Sequence, residues 1–404
     1  MMRVGVAMRA CGRKGRWRIA VATAASLLAA GCATEPPRTP YTQLEQQLAQ
    51  IPGFAGVRMW ADDPNMAAAR AEAVGRFSGK TPVVLALSGG GPDGAFGAGL
   101  LTGWSARGDR PKFDIVTGAS AGALMSPFAF LGSAYDDRMR QVFASGEMAN
   151  FLQFQGVSGL FGTGLFKTEP LKQLIARHID DNVLAAIAQE YRSGRRLFIV
   201  TTNLDAQRTA IWDMGRIASS GNPRALELFR NVMEASASIP GIFSPVLIQA
   251  EADGRSFSEM HVDGGITANV MVVPEAFLLT NTSAMPRGVR PRIYVVINGK
   301  LGPNFEVVKP RTLQIAIRSF ETSVRANTRN TLLASYEYVR RRGWNMRLAS
   351  MADDYPEGAN QGFDETYMRT LFEYGYQRGL AGNPWQDSPA DSPRPSRPQQ
   401  VAAQ

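Results

Sequence analysis

Histidine and cysteine are scarce in this sequence, which has two of each among 404 residues. Metal sites draw on His, Cys, Asp and Glu at characteristic spacings, and no such pattern is visible. We therefore expect no metal and no other cofactor. Both cysteines, Cys11 and Cys32, lie near the N-terminus, and we expect Cys11 to leave with a signal. The mature chain would hold one cysteine, which excludes an intrachain disulfide.

The apolar run near the N-terminus, IAVATAASLLAA, has 12 residues and is too short to span a membrane. Six basic residues and no acidic residue lie in residues 1–18, a pattern typical of an export signal. The segment LLAAGC, which ends at Cys32, resembles a bacterial lipobox, although Ala29 stands where leucine is usual. The resemblance implies cleavage before Cys32 and lipidation of that cysteine. The alternative is an ordinary signal with an incidental cysteine.

Lipidation would anchor the protein to a membrane of the bacterial envelope without spanning it. Ala33 is not the aspartate that retains many such lipoproteins at the inner membrane, so the outer membrane is favoured. The formal net charge is +9, but six positive charges lie in the signal. The remaining balance of +3 excludes the electrostatic footprint of a nucleic-acid-binding protein.

Apolar periodicity predicts an α/β fold. Residues 41–77 have apolar positions at helical spacing, so we expect helix there. From residue 82 onward, short all-apolar strands alternate with helices, which predicts a mainly parallel central sheet with helices on both faces. We predict strands at 82–87, 113–118, 196–204 and 291–299, and helices at 95–106, 121–132, 223–236 and 365–380. Residues 312–342 are predicted to form one long helix or a broken pair of helices.

A glycine-rich loop, SGGGPDGAFGAG, follows the first predicted strand. Gly89, Gly91 and Gly94 form G-x-G-x-x-G, the dinucleotide-binding fingerprint. Such a loop can equally present backbone amides to the oxyanion of an acyl-transfer reaction. Dinucleotide binding requires an acidic residue at the end of the next strand, and Asp114 stands at its start. We therefore favour the oxyanion interpretation.

The second predicted strand ends in GASAG, with Gly118, Ser120 and Gly122 in the pattern G-x-S-x-G. This pattern is typical of a nucleophile elbow, in which small neighbours let the backbone turn tightly between a strand and a helix. The serine hydroxyl is then exposed above the sheet, near the positive end of the helix dipole. Ser120 is the candidate nucleophile, and a turn needed only for tight packing is the alternative.

Ser120 needs a base, and the two histidines are weak candidates. His178 lies at the end of an amphipathic helix, where the dipole alone favours it. His261 lies in HVDGG, two residues before Asp263, and would share a strand face with it. Asp263 is the better base, since a desolvated carboxylate can accept a serine proton directly. Whether His261 contributes stays open.

An ordered set of motifs now makes the chain similar to a known family. The set comprises the glycine loop, the GASAG elbow, EASASIPGIFSPV at 234–246 and HVDGGITANV at 261–270. In this order they resemble the patatin-like phospholipases, with residues 301–384 similar to the tail of a bacterial lipoprotein branch. The resemblance implies a three-layer α/β fold and a serine acyl hydrolase that cleaves fatty-acyl esters of lipids, a lipase or phospholipase A.

The resemblance also implies roles for particular residues. Ser120 and Asp263 would form a catalytic dyad without histidine. Backbone amides of the glycine loop would form the oxyanion hole. Two glycines would flank the serine of the elbow, and two more would follow the aspartate in the D-G-G motif. These residues are Gly89, Gly90, Gly91 and Gly94 for the oxyanion hole, Gly118 and Gly122 for the elbow, and Gly264 and Gly265 for the D-G-G motif.

The same resemblance suggests how the chain is divided. We predict a signal (1–31), a lipidated tether with a helical segment (32–80), a catalytic domain (81–300), a helical C-terminal part packed on it (301–384) and a disordered tail (385–404) that buries too little apolar surface to fold. Asp93 departs from the family, which commonly has Arg or Lys just before the last glycine of the loop. This departure leaves open whether phospholipids or other acyl esters are preferred.

Two alternatives remain. One is an α/β-hydrolase esterase with a Ser-Asp-His triad, but that order places histidine last and both histidines precede Asp263. The other is a non-catalytic lipid-binding lipoprotein of the envelope. The sequence does not indicate an oligomeric state.

Overall fold

The computed structural model describes residues 38–66, 81–148, 163–303, 305, 307–352, 355 and 363–389. The chain divides into two compact units, Met1–Pro40 and Tyr41–Gln404, and the helices and strands described below belong to the second. The predicted signal and Cys32 lie outside the described residues, as does the later part of the predicted 41–77 helix. Among the described residues, none of the helices combines the length and apolar character needed to cross a membrane.

One mixed sheet of nine strands forms the centre of the described chain. The strands are β1 (Arg58–Trp60), β2 (Val83–Leu87), β3 (Ile115–Gly118), β4 (Arg196–Asn203), β5 (Arg208–Asp213), β6 (Val246–Ala252), β7 (Arg255–Asp263), β8 (Arg292–Lys300) and β9 (Asn345–Met351). Their order is β1-β5-β4-β3-β2-β8-β9, and β7 pairs with both β4 and β6. The run β4-β3-β2-β8-β9 is parallel, and the remaining pairings are antiparallel.

Helices cover both faces of this sheet. They are α1 (Gln43–Leu48), α2 (Gly94–Arg107), α3 (Ala121–Leu131), α4 (Asp136–Ala144), α5 (Glu169–His178), α6 (Asp181–Arg192), α7 (Met214–Ala218), α8 (Ala225–Ala237), α9 (Gly265–Ala268), α10 (Glu275–Thr280), α11 (Thr312–Arg341) and α12 (Glu365–Ala381). Alternate residues of β2 point to opposite faces of the sheet and belong to different hydrophobic clusters. Leu85 and Leu87 pack in the cluster that includes α2 and α3, and Val84 and Ala86 pack in the cluster that includes α10 and part of α11. The predicted α/β fold is confirmed.

The C-terminal part is integral to this architecture. Helix α12 lies backbone-to-backbone on α2, because a Cβ atom on Gly99 or Gly103 would overlap the main chain of Phe372 or Tyr376. Asp364 caps α12 by accepting a hydrogen bond from the Tyr367 N–H, as its position in the sequence suggests. The predicted helices at 312–342 and 365–380 are therefore present, within a residue at each end.

Several local expectations differ from the structure. The helix expected from residue 41 ends at Leu48, because Pro52, Gly53 and Gly56 turn the chain into β1 instead. The part predicted as helical after residue 300 also contains β9, which extends the parallel sheet beside β8. Trp385, which we assigned to the tail, packs against Trp104 with ring centroids 4.8 Å apart. The packed chain thus continues beyond residue 384.

Candidate active site

The ends of β3 and β7 meet on one side of β4. Gly118, the last residue of β3, lies opposite Ile199, and Asp263, the last residue of β7, lies opposite Thr201. Strand β5 occupies the other edge of β4 along this stretch, so β3 and β7 approach end to end. This topology brings Ser120, just after β3, beside Asp263, although 143 residues separate them in the sequence.

Ser120 occupies a strained turn. Its φ is 52° and its ψ is −124°, a combination that costs a non-glycine residue free energy of order 1–3 kcal/mol. The Ser120 N–H donates to Ser236 Oγ at 3.0 Å, and that hydroxyl donates to the Val200 carbonyl at 2.7 Å. The side chain is buried at the start of α3. The chain thus holds Ser120 in place through a partner on α8.

The flanking glycines allow this turn. A Cβ atom on Gly118 would overlap the carbonyl of Gly122, and one on Gly122 would overlap the carbonyl of Leu87. The main chain of the elbow therefore packs directly against itself and against the end of β2. This close approach is the physical reason for the small residues predicted at the elbow.

Asp263 is buried and only partly satisfied. Its Oδ1 accepts a hydrogen bond from the Gly265 N–H at 2.7 Å, whereas its buried Oδ2 has no hydrogen-bond partner among the described residues. Burial raises the pKa of the carboxyl to about 7. The Gly265 N–H and the Ser120 hydroxyl, which lies near the carboxyl without a hydrogen bond of standard geometry, offset part of that rise. A base with a pKa near the working pH is well suited to proton transfer. Gly264 lies against the Val200 carbonyl, where a Cβ would not fit.

The glycine loop borders the serine. A Cβ atom on Gly89 would lie 2.8 Å from the Cβ of Ser120, so the two residues are in direct contact. The Gly89 N–H donates to the Asn269 carbonyl, and the Gly94 N–H donates to carbonyls within its own turn. The amides of Gly90 and Gly91 have no acceptor within the described chain. Of the amides expected for an oxyanion hole, these two are free to donate.

Two asparagines that the sequence analysis missed hold this loop. Asn298, at the end of β8, donates through its side-chain amide to the Ser88 carbonyl at 2.6 Å and accepts from the Gly97 N–H at 3.1 Å. Asn269 holds Gly89 through its carbonyl and donates its side-chain amide to Thr328 Oγ1 at 2.9 Å. The sequence offers one indication of these two residues, a polar asparagine beside apolar residues, with Asn298 in VVING and Asn269 in ITANV.

Helix α11 also supports the turn after Asp263. The side-chain amide of Asn327 donates to the Thr267 carbonyl at 3.0 Å and, more weakly, to the Ile266 carbonyl at 3.4 Å. Thr328, one residue on, supports Asn269 as described above. Both elements that flank Ser120 therefore depend on a helix from the C-terminal part of the chain.

Asp93 is part of a mixed-charge cluster at the glycine loop. Its Oδ1 accepts a hydrogen bond from the Tyr367 hydroxyl of α12 at 2.7 Å. Desolvation raises the pKa of Asp93 to about 6, and that hydrogen bond and the positive charges of Arg325 and Lys300 act to lower it. Cations thus lie near the loop even though the loop itself carries none. They come from α11 and from the end of β8.

The two histidines have other partners. His261 lies within the sheet, with Nδ1 2.9 Å from Thr201 Oγ1 and Nε2 3.3 Å from Glu259 Oε2, and burial lowers its pKa. His178 Nε2 lies 2.9 Å from Glu147 Oε2. Neither ring is bonded to Ser120 or Asp263 in the described chain. Nor does that part of the chain bring three or more His, Cys, Asp or Glu side chains together as metal ligands.

Comparisons with known proteins give one family match, over part of the chain. Residues 85–275 match the family model of the patatin-like phospholipases, a span that includes the glycine loop, Ser120 and Asp263. Among solved structures, the chain is similar to VipD from Legionella pneumophila, with 14% identity and a TM-score of 0.34 over 76% of this chain and 67% of that one. No curated protein matches it significantly. Over residues 85–275 the chain is therefore similar to the patatin-like phospholipase family, whose description implies a lipid acyl hydrolase.

Proposed function

We propose that the chain is a lipase or phospholipase A that cleaves fatty-acyl esters of lipids, with Ser120 as nucleophile and Asp263 as base. One observation carries the proposal. A buried serine in a strained strand-to-helix turn lies beside a buried carboxyl that has a pKa of about 7 and an oxygen without a partner in the described chain. A serine that served only tight packing would not need such a neighbour.

The proposed reaction has two halves. Asp263 Oδ2 accepts the hydroxyl proton as Ser120 Oγ attacks the ester carbonyl carbon. The bond to the leaving oxygen then breaks, and Asp263 passes its proton to the departing alcohol, which leaves an acyl-serine. Water then attacks the acyl carbon as Asp263 accepts its proton. The bond from that carbon to Ser120 Oγ breaks, Asp263 returns the proton to Oγ, and the fatty acid departs.

The oxyanion of each tetrahedral intermediate needs donors fixed in advance. The unengaged amides of Gly90 and Gly91 are the proposed donors, since those of Gly89 and Gly94 already donate within the protein. Such a donor typically contributes roughly 3–4 kcal/mol of transition-state stabilisation. The first turn of α3, which begins directly after Ser120, adds the positive end of its dipole.

Kinetics with a soluble p-nitrophenyl acyl ester tests the dyad. We expect Ser120→Ala and Asp263→Asn to lower kcat by at least about a thousandfold, the scale seen when a nucleophile or its base is removed. Ser126→Ala is the matched control, because Ser126 is a buried serine of α3 whose hydroxyl donates to the Ala123 carbonyl of its own helix. Full activity in Ser120→Ala would refute the proposal.

We also propose export and lipidation of Cys32, on the sequence alone. Mass spectrometry of the protein isolated from membranes of a bacterial host tests this. We expect an N-terminal Cys32 carrying lipid, and Cys32→Ser should remove the lipid and release the protein from the membrane fraction. Cys11→Ser is the matched control and should change neither result. An unmodified mature Cys32 would contradict the proposal.

A further inference from the structure

The glycine loop carries one charged side chain, that of Asp93. The other residues of SGGGPDGAFGAG are glycine, serine, proline, alanine and phenylalanine. Asp93 ends the short 3₁₀ turn Gly91–Asp93, and its N–H donates to the Gly90 carbonyl at 3.1 Å. Two residues span at most about 7 Å of chain, so the Asp93 Cα lies within that distance of the Gly91 Cα. A carboxylate is therefore built into the turn that presents the proposed oxyanion donors.

The rest of the chain fixes this carboxyl in place. Its Oδ1 accepts the hydrogen bond from the hydroxyl of Tyr367, in the first turn of α12, at 2.7 Å. Its Oδ2 lies 3.7 Å from the position that a Cβ atom on Gly299 would take. No donor in the described chain bonds to Oδ2. The carboxyl thus lies between α12 and the end of β8, with one oxygen that has no hydrogen-bond partner among the described residues.

The charged groups around Asp93 balance each other. Desolvation is the main cause of its raised pKa. Arg325 and Lys300 act with the tyrosine hydrogen bond to lower that pKa, and Glu321 acts to raise it. Both cations also donate to main-chain carbonyls, at 2.8 Å each. With Asp93, these described groups carry two charges of each sign, so together they offer no net positive charge to an anion.

The position of Asp93 matters for the headgroup of a lipid substrate. An ester whose oxyanion binds the amides of Gly90 and Gly91 holds the rest of its glycerol within a few bonds of the loop. In a glycerophospholipid the phosphate is on that same glycerol, so its charge lies on the order of 10 Å from the Asp93 carboxylate. This distance is about one Debye length at physiological ionic strength, so the repulsion is only partly screened. An acylglycerol has no charge there and meets no such repulsion.

We propose that Asp93 determines headgroup specificity, so that uncharged acylglycerols are the preferred substrates and esters with an anionic phosphate on the same glycerol are disfavoured. The competing assignment is that Arg325 and Lys300 bind the phosphate. It fits less well, because both cations act on the Asp93 carboxyl and already donate to the main chain. The proposal rests on the proposed function in one respect, that Ser120 cleaves an ester of a lipid.

Hydrolysis of two short-chain lipids by the full-length protein tests the specificity. Dihexanoylglycerol and dihexanoylphosphatidylglycerol have the same acyl chains, and both are used as monomers in solution. The measured quantity is the ratio of kcat/KM for the anionic lipid to kcat/KM for the neutral lipid. Asp93→Asn removes the charge and keeps an oxygen that can accept from Tyr367. Asp109→Asn is the matched control, because this exposed aspartate follows the other end of α2, about 21 Å away along the helix.

At pH 8 we expect Asp93→Asn to raise this ratio by about threefold to tenfold, the effect of one unit charge at roughly 10 Å in a medium of intermediate dielectric constant. The increase should shrink at high salt. In wild type the ratio should rise as pH falls through about 6, because protonation removes the Asp93 charge, and this rise should be absent in Asp93→Asn. Tyr367→Phe removes the hydrogen bond and retains the charge, so its ratio at pH 8 should stay within twofold of wild type. Asp109→Asn should match wild type throughout.

An unchanged ratio in Asp93→Asn would overturn the proposal. So would a wild-type preference for the anionic lipid that Arg325→Gln abolishes, because the cations would then select the phosphate. Calorimetric binding of both lipids to Ser120→Ala, with and without Asp93→Asn, separates specificity from catalysis. If no protein hydrolyses either lipid, the proposed function is refuted, and the ratio of the two dissociation constants decides the specificity proposal by the same criterion.

Discussion

Replacing Asp263 by asparagine should abolish hydrolysis and at the same time stabilise the folded protein above neutral pH. The carboxyl is buried, one of its oxygens has no hydrogen-bond partner in the described chain, and its pKa lies near 7 instead of 3.8. Asparagine keeps an oxygen that can accept the Gly265 N–H and removes the charge. The wild-type protein thus folds at the cost of an ionised buried group.

The sign and size of this effect follow from the two pKa values. The folded state binds the proton more tightly than the unfolded state, so stability decreases as pH rises from about 4 to 7 and is then constant. The full cost is about 4 kcal/mol, from a shift of about three units at 1.36 kcal/mol each. Between pH 5 and pH 8 the cost grows by about 3 kcal/mol.

Urea unfolding of wild type and Asp263→Asn at pH 5 and pH 8 measures the effect. Asp93 and Glu234 also have raised pKa values, but both proteins contain them, so their titration cancels in the difference. Asp137→Asn is the control for an exposed aspartate. If the advantage of Asp263→Asn is the same at both pH values, the carboxyl is not ionised at a buried position and the proposed base has been assigned wrongly.

Three further predictions concern residues around the dyad. Thr328→Val removes the acceptor for the side-chain amide of Asn269, which holds the glycine loop, and should lower kcat/KM by about 5- to 100-fold, the cost of a buried unsatisfied donor. Thr322→Val, on the exposed face of the same helix, should leave kcat/KM unchanged. Equal kcat/KM values in the two variants would refute the positioning role of Thr328. Asn298→Ala should lower kcat more than it raises KM in steady-state assays, because it loosens the oxyanion loop and not the acyl site; a change in KM alone would contradict this. His178→Gln and His261→Gln should retain hydrolysis at native fold, measured beside circular dichroism, and loss of activity in a folded variant would favour a triad.

Much of the candidate site could be predicted from the sequence because its residues form local motifs. GASAG requires small residues for a turn of its own backbone, so Ser120 could be recognised from its neighbours. Asp263 could be recognised from the glycines that follow it and from the order of motifs along the chain. The parallel strands were visible for the same kind of reason, since strands buried on both faces are all apolar.

Residues that act over long sequence separations could not be found in this way. Asn298 contacts the glycine loop because β8 lies beside β2, whereas Thr328 of α11 supports the loop through Asn269. The loop motif also does not reveal which amides remain free, since Gly89 donates to Asn269, 180 residues away. Strand β9 was missed because its polar and apolar residues do not form an all-apolar run.

The most direct test of the central claim is to locate a covalent adduct on the nucleophile. Wild type, Ser120→Ala and Asp263→Asn are incubated with a fluorophosphonate and digested, and the modified peptide is identified by mass spectrometry. We expect a single adduct on Ser120 in wild type, none in Ser120→Ala and much slower formation in Asp263→Asn. An adduct on another residue, or labelling of Ser120→Ala at the wild-type rate, would contradict the account.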